Sequence, residues 1–163
     1  MGGSNIPKKS SRKKGKSSIF LRVDRPTPAP ITKLLRDLAV QALARLGRGG
    51  ERLEIALVDD EESRRVNRDF LGRDRPTTVI SFAGDGPGDM GQLIVNVDEA
   101  ERQRGPAGYG LSRMLGYYVL HGMLHLAGYD HERGGAAAAA AMAAKEESLQ
   151  ELLRPLASGE GDE

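Results

Sequence analysis

The 163-residue chain has three histidines, and all of them fall within eleven residues, HGMLHLAGYDH, from His121 to His131. Residues four apart on a helix share one face, so His121 and His125 point the same way. Gly128 comes three residues later, and glycine adopts cheaply the left-handed conformation that ends a helix and reverses the chain. The spacer from Leu126 to Asp130 then lets His131 swing back toward the other two. Three imidazole nitrogens can meet about 2.0–2.1 Å from one zinc ion and leave a fourth position for water, which is the pattern of a catalytic site. One zinc ion per chain, held by His121, His125 and His131, is therefore expected, although nickel, copper and iron also accept such ligands. Of the acids flanking His131, Glu132 reads as solvated surface. Asp130 is either a turn residue or an acid–base group beside the metal-activated water.

The spacing His-x3-His-x5-His also resembles the metzincin proteases, which carry a glutamate directly after the first histidine as general base. Here that position is Gly122. This counts against a zincin-type metallopeptidase. Gly122 is instead expected to let a strand or a substrate approach the helix backbone.

Several elements must hold these rings. Leu111 to Ala127 is apolar on most sides and reads as a buried helix. Ile19–Asp24, Leu53–Val58, Thr77–Phe82 and Gln92–Val97 read as strands, with Leu53, Ile55 and Leu57 on one face. Thr32 is the expected cap of a helix running to about Leu46, with Leu34, Leu35, Leu38, Leu43 and Leu46 on its buried side. Asp59 or Asp60 caps a helix carrying Val66 and Phe70. Ala83 to Met90, rich in Gly and Asp, reads as a loop, and Asp98 starts a short helix. Gly134 to Leu153 forms the last helix, with Met142, Leu149, Leu152 and Leu153 to pack. Strands and helices mix without strict alternation, which implies an α+β fold, one small sheet covered by helices.

Composition sets outer bounds. The chain has no cysteine, which excludes disulfides and thiolate metal sites. No apolar run spans a bilayer and no apolar signal core opens the chain, so a cytoplasmic protein without a membrane partner is expected. Residues 1–18 hold Lys8, Lys9, Arg12, Lys13, Lys14 and Lys16 and no acid, so a net charge of +1 leaves −5 for the remainder. That segment reads as a basic disordered tail able to meet nucleic acid phosphates. Residues 19–156 read as a single domain, and 157–163 as an acidic disordered tail.

HGMLHLAGYDH resembles the signature of the YbeY family of bacterial endoribonucleases and rRNA maturation factors. NRDFLGRDRPTTVISF (Asn67–Phe82), GQLIVNV (Gly91–Val97) and the segment from Met142 to Leu153 resemble further family stretches, in the family's order. The resemblance implies a zincin-like α+β fold and one zinc bound through His121, His125 and His131. It implies zinc-dependent, single-strand-specific cleavage of RNA, maturation of the 3′ end of small-subunit rRNA and ribosome quality control. It also implies association with the small ribosomal subunit, a small-subunit ribosomal protein and the GTPase Era. Three departures stand out. Leu71 occupies the place of a family arginine, Thr78 that of an Asp or Asn, and Gln92 with Asn96 that of an acid and a Ser or Cys. Arg73 and Arg75 are candidates to supply the missing charge, and Ser81 is a candidate RNA contact. Leu71 keeps open a second reading, a non-catalytic zinc-containing ribosome-assembly factor.

Overall fold

The computed structural model describes residues 17–129 and 135–156. Most of the expected basic tail (1–16), the acidic tail and the segment 130–134 lie outside the described residues. The elements run β1 (Ser18–Val23), α1 (Ala29–Arg45), β2 (Arg52–Val58), α2 (Asp60–Leu71), β3 (Val79–Gly86), β4 (Asp89–Asn96), α3 (Val97–Ala107), α4 (Leu111–Leu126) and α5 (Gly135–Gln150), with a 3-10 turn at Glu151–Leu153. The four strands form one mixed sheet in the order β1-β2-β4-β3, with β1, β2 and β4 parallel and β3 antiparallel to β4. The fold is α+β, as the absence of strict alternation implied.

Local chemistry sets the boundaries. α1 starts after Pro28 with a second proline in its first turn, where a residue lacking N–H costs nothing. Thr32, the expected cap, sits inside the helix, and its hydroxyl donates to the Ala29 carbonyl at 2.9 Å. The inward stripe of α1 is Ile31, Leu35, Leu38, Ala39, Ala42 and Leu43. Leu34 lies off that stripe and is exposed rather than buried, while Leu46 is half-buried. Asp59 caps α2 by accepting from the Glu62 N–H at 2.9 Å. α3 begins at Val97, one residue before the expected start, because Asn96 Oδ1 accepts from the N–H groups of Asp98 and Glu99.

The expected loop from Ala83 to Met90 is instead a hairpin. β3 continues to Gly86 and β4 begins at Asp89, joined by Pro87 and Gly88. Gly88, within the expected loop, sits at φ +87° in the tight turn, and Gly91, just past it, sits at φ +129° where the register between β2 and β4 shifts.

The two sheet faces differ. The inner face presents Leu53, Ile55, Leu57, Leu93 and Val95, all without exposure, to α1 and α4. The outer face carries a smaller cluster of Ala56, Val58, Ile80 and Ile94 under Val66 of α2. Met142, Leu149, Leu152 and Leu153 are buried and secure the C-terminal segment, as their spacing suggested. Among the described residues no helix is long and apolar enough to cross a membrane.

Candidate metal centre

α4 is the axis of the site. Eleven of its sixteen residues are buried, which fixes the helix against the sheet on one side and against α1, α3 and α5 elsewhere. The helix meets the sheet tightly at Gly122. A Cβ there would lie 2.7 Å from Leu93 Cδ2 and 3.2 Å from both Ser81 Oγ and Val79 Cγ2. Gly122 thus lets a strand, not a substrate, reach the helix, and a side chain at this position would have to displace Leu93. The Ser81 hydroxyl donates to the Gly122 carbonyl at 3.3 Å, fastening β3 to α4 beside His121.

The helix ends as its glycine predicted. Gly128, at φ +95°, donates its N–H to the His125 carbonyl, and Tyr129 donates to the Leu124 carbonyl, each at 3.0 Å. This pair of bonds is a Schellman motif, and both Tyr129 and Leu124 pack into the core. The chain therefore leaves the helix sharply after the second histidine.

His121 and His125 come together on one face. Their Nε2 atoms lie 3.3 Å apart and their rings meet edge to face, with centroids 4.7 Å apart. Two ligand atoms about 2.05 Å from one zinc at the tetrahedral angle are separated by about 3.35 Å. The two side chains thus already stand at ligand spacing, with His121 half-buried and His125 exposed. His131 and Asp130 lie outside the described residues, and among the described residues no third His, Cys, Asp or Glu joins the pair.

Two neighbours escaped the sequence reading. Tyr117 stacks on His121 with centroids 6.3 Å apart and an interplanar angle of 22°. Its place one turn before His121 was the available signal. Burial, aided by the Glu146 carboxylate and by Tyr109, pushes its phenol above the ordinary tyrosine range. Glu146, half-buried on α5, lines a narrow crevice with Tyr117, His121 and Leu149; nothing in its sequence context marked it.

The candidate RNA contacts are distributed differently. Ser81 is half-buried and its hydroxyl serves the contact with α4. Arg73 and Arg75 are exposed in the connection between α2 and β3. That connection is tied back onto α2, where Asn67 Nδ2 donates to the Arg75 carbonyl at 2.8 Å. Ser63 Oγ donates to the Thr77 carbonyl and accepts from its N–H. Leu71 ends α2 with half of its surface in solvent.

Comparison with known proteins converges on one family. The family model described as Endoribonuclease YbeY matches residues 25–154. A Geobacter sulfurreducens protein named Endoribonuclease YbeY is 44% identical over 129 residues, covering 75% of this chain and 86% of its own. A protein of the same name from Geobacter metallireducens is 40% identical over the same shares. A Thermotoga maritima protein solved in solution has a similar fold, with a TM-score of 0.61 and 24% identity over 83% of this chain and 88% of that one.

Proposed function

The chain belongs to the YbeY endoribonuclease family, and from that premise we propose a zinc-dependent endoribonuclease of zincin-like fold that cuts single-stranded RNA. Its role on this reading is to mature the 3′ end of small-subunit rRNA and to act in ribosome quality control in the cytoplasm. The small ribosomal subunit, one of its proteins and the GTPase Era are its partners. The observation that carries the proposal is the 3.3 Å opposition of His121 and His125 Nε2.

His121, His125 and His131 are the proposed ligands of one zinc ion. Zinc, when bound, supplies a Lewis acid and lowers the pKa of water. The protein's own residues do the rest. Exposed His125 keeps the site open to a polymer. Tyr117 lies along His121 and limits how its ring can turn. Gly122 and the Ser81 hydroxyl hold the helix backbone on the sheet, so both rings keep their aim. Arg73 and Arg75, whose guanidinium groups have no hydrogen bond or ion pair among the described residues, are available to phosphate charge.

The decisive variant is His125→Ala. Loss of stoichiometric zinc together with loss of cleavage of a model rRNA 3′ end is the expected result. Cleavage at the wild-type rate by a zinc-free variant would refute it. Exposed Leu71 favours a second reading, an assembly factor that binds without cutting. Leu71→Arg separates the two, because a large gain in cleavage would mean the natural protein works mainly by binding.

A further inference from the structure

The chain has three phenylalanines, and the core contains none of them. Phe20 is 51% and Phe70 65% exposed, while Phe82 is half-buried against the outer cluster. By contrast, all four tyrosines pack against the inner core or within it. Strand register explains the arrangement. Phe20 pairs with Glu54, Glu54 with Gln92, and Gln92 with Phe82. One row across the outer face thus carries an aromatic ring on each edge strand. Between them, Gln92 Nε2 donates to Glu54 Oε2 at 3.1 Å. Phe70, from the end of α2, meets Phe82 edge to face with centroids 5.4 Å apart.

Arginines interleave with these rings. The Arg52 guanidinium lies 4.8 Å from the Phe20 centroid. Arg22 and Arg65 join Phe70, Phe82, Gln92 and Ile94 around a shallow groove of about 280 Å³. Their charges are partly met by acids: Arg65 pairs with Glu62 and Asp69, Arg22 with Asp24 and Glu54, and Arg52 with Glu54 and Asp89. Beyond Phe70 the chain continues into Arg73 and Arg75, whose side chains have no partner among the described residues. Exposed aromatic rings beside unpartnered arginines are what a single strand requires, with bases stacking on rings and phosphates meeting guanidinium groups.

We propose that this outer face is a stacking platform for single-stranded RNA, on the side of the sheet away from the histidines. It rests on the reading of the chain as an RNA-cleaving protein and adds to it a binding site remote from the proposed metal. The platform holds bases on Phe20 and on the Phe70–Phe82 pair. It would engage a length of strand other than the one being cut.

The test measures the affinity of the full chain for a fluorescent single-stranded RNA, and separately for the same backbone without bases. Phe20→Leu and Phe70→Leu are each expected to weaken RNA binding about ten-fold. Phe20→Trp should retain binding, and the abasic strand should not distinguish the variants from wild type. Bound zinc and thermal midpoint should be unchanged, since both rings are largely in solvent. Full RNA affinity in both leucine variants would overturn the platform, because leucine keeps an apolar surface suited to a protein partner but offers no π-face. As a check needing no variant, photo-crosslinking of a thiouridine-containing strand to wild type should label peptides carrying Phe20 or Phe70. Labels confined to α4 would count against the platform. Wild type that binds and cleaves RNA while both leucine variants match it refutes the platform alone, whereas wild type that neither binds nor cleaves RNA refutes the enzymatic reading as well.

Discussion

The inner and outer faces of the four-stranded sheet are built to different tolerances. On the inner face, apolar side chains of β2 and β4 are sealed beneath two helices, and α4 approaches so closely at Gly122 that an added Cβ would press on Leu93. On the outer face, α2 covers a cluster of a few residues, and the rest is held by hydrogen bonds and ion pairs between half-exposed groups. Dense packing transmits position, because a close-packed interior resists small displacements. Exposed ion pairs do so poorly, since each contributes little and competes with water. The histidine pair is mounted on the first kind of face, and the exposed aromatic rings on the second. The proposed metal centre needs its ligand atoms within fractions of an ångström, whereas the proposed surface for a flexible strand needs only area and charge.

The largest consequence should appear at Leu93, fully buried at the centre of the inner face. Leu93→Ala removes buried methyl groups and leaves a cavity beneath Gly122. A loss of about 2–5 kcal/mol is expected, read from chemical denaturation. An exposed outer-face change such as Phe20→Ala should stay within about 0.5 kcal/mol. Equal losses at the two positions would abolish the distinction between the faces.

Gly122→Ala makes the opposite perturbation at the same contact. The new methyl group would stand 2.7 Å from Leu93 Cδ2, so helix and sheet must separate or Leu93 must turn. Overpacking of this kind costs about 1–3 kcal/mol. Because the residue adjoins His121, zinc affinity should fall along with stability. A variant with lowered stability and wild-type zinc affinity would show that the packing of α4 does not set the aim of its histidines.

How much of this was legible in the residues follows from the range of each interaction. The pairing of His121 with His125 depends only on the helical repeat, so four-residue spacing was enough. The Gly128 reversal was equally local. The inner-face strands showed themselves through alternation, since one face is dry. The hairpin at Ala83–Met90 did not, because its Gly and Asp residues have weak strand preference and are held by β4, whose contribution no local window contains. Leu34 misled for a related reason: a leucine-rich helix offers several stripes, and only the packed sheet selects one. The outer position of all three phenylalanines was hidden too. Aromatic residues in a strand ordinarily suggest core, and for Phe20 and Phe82 register alone decides which side they take, while Phe70 on α2 follows Phe82 to the outer face. His131 illustrates the other boundary, as its place depends on residues 130–134, outside the described residues.

The smallest effect concerns acid. Among the described residues, the carboxyl groups held below their ordinary range are Asp60, Glu62 and Asp74, all in α2 or the connection after it. For Asp60 the chief cause is its bond with Arg102, at 2.7 Å, joined by Asn96 Nδ2 at 2.8 Å. A carboxyl with a folded pKa below its unfolded value of about 3.9 contributes stability that is fully present above that value. The contribution is lost as pH falls through the folded pKa, because the unfolded chain then binds the proton more readily. With 37% of the Asp60 side chain in solvent, screening keeps its share under about 1 kcal/mol. Acid should therefore loosen the outer layer first. On lowering the pH from about 6 to about 3, amide protection across α2 should decline while that of α4 persists. Asp60→Asn should reduce the pH dependence of α2. Simultaneous loss in both helices would mean that the ion pairs of the outer layer are coupled to the inner core, and that the two faces do not loosen separately.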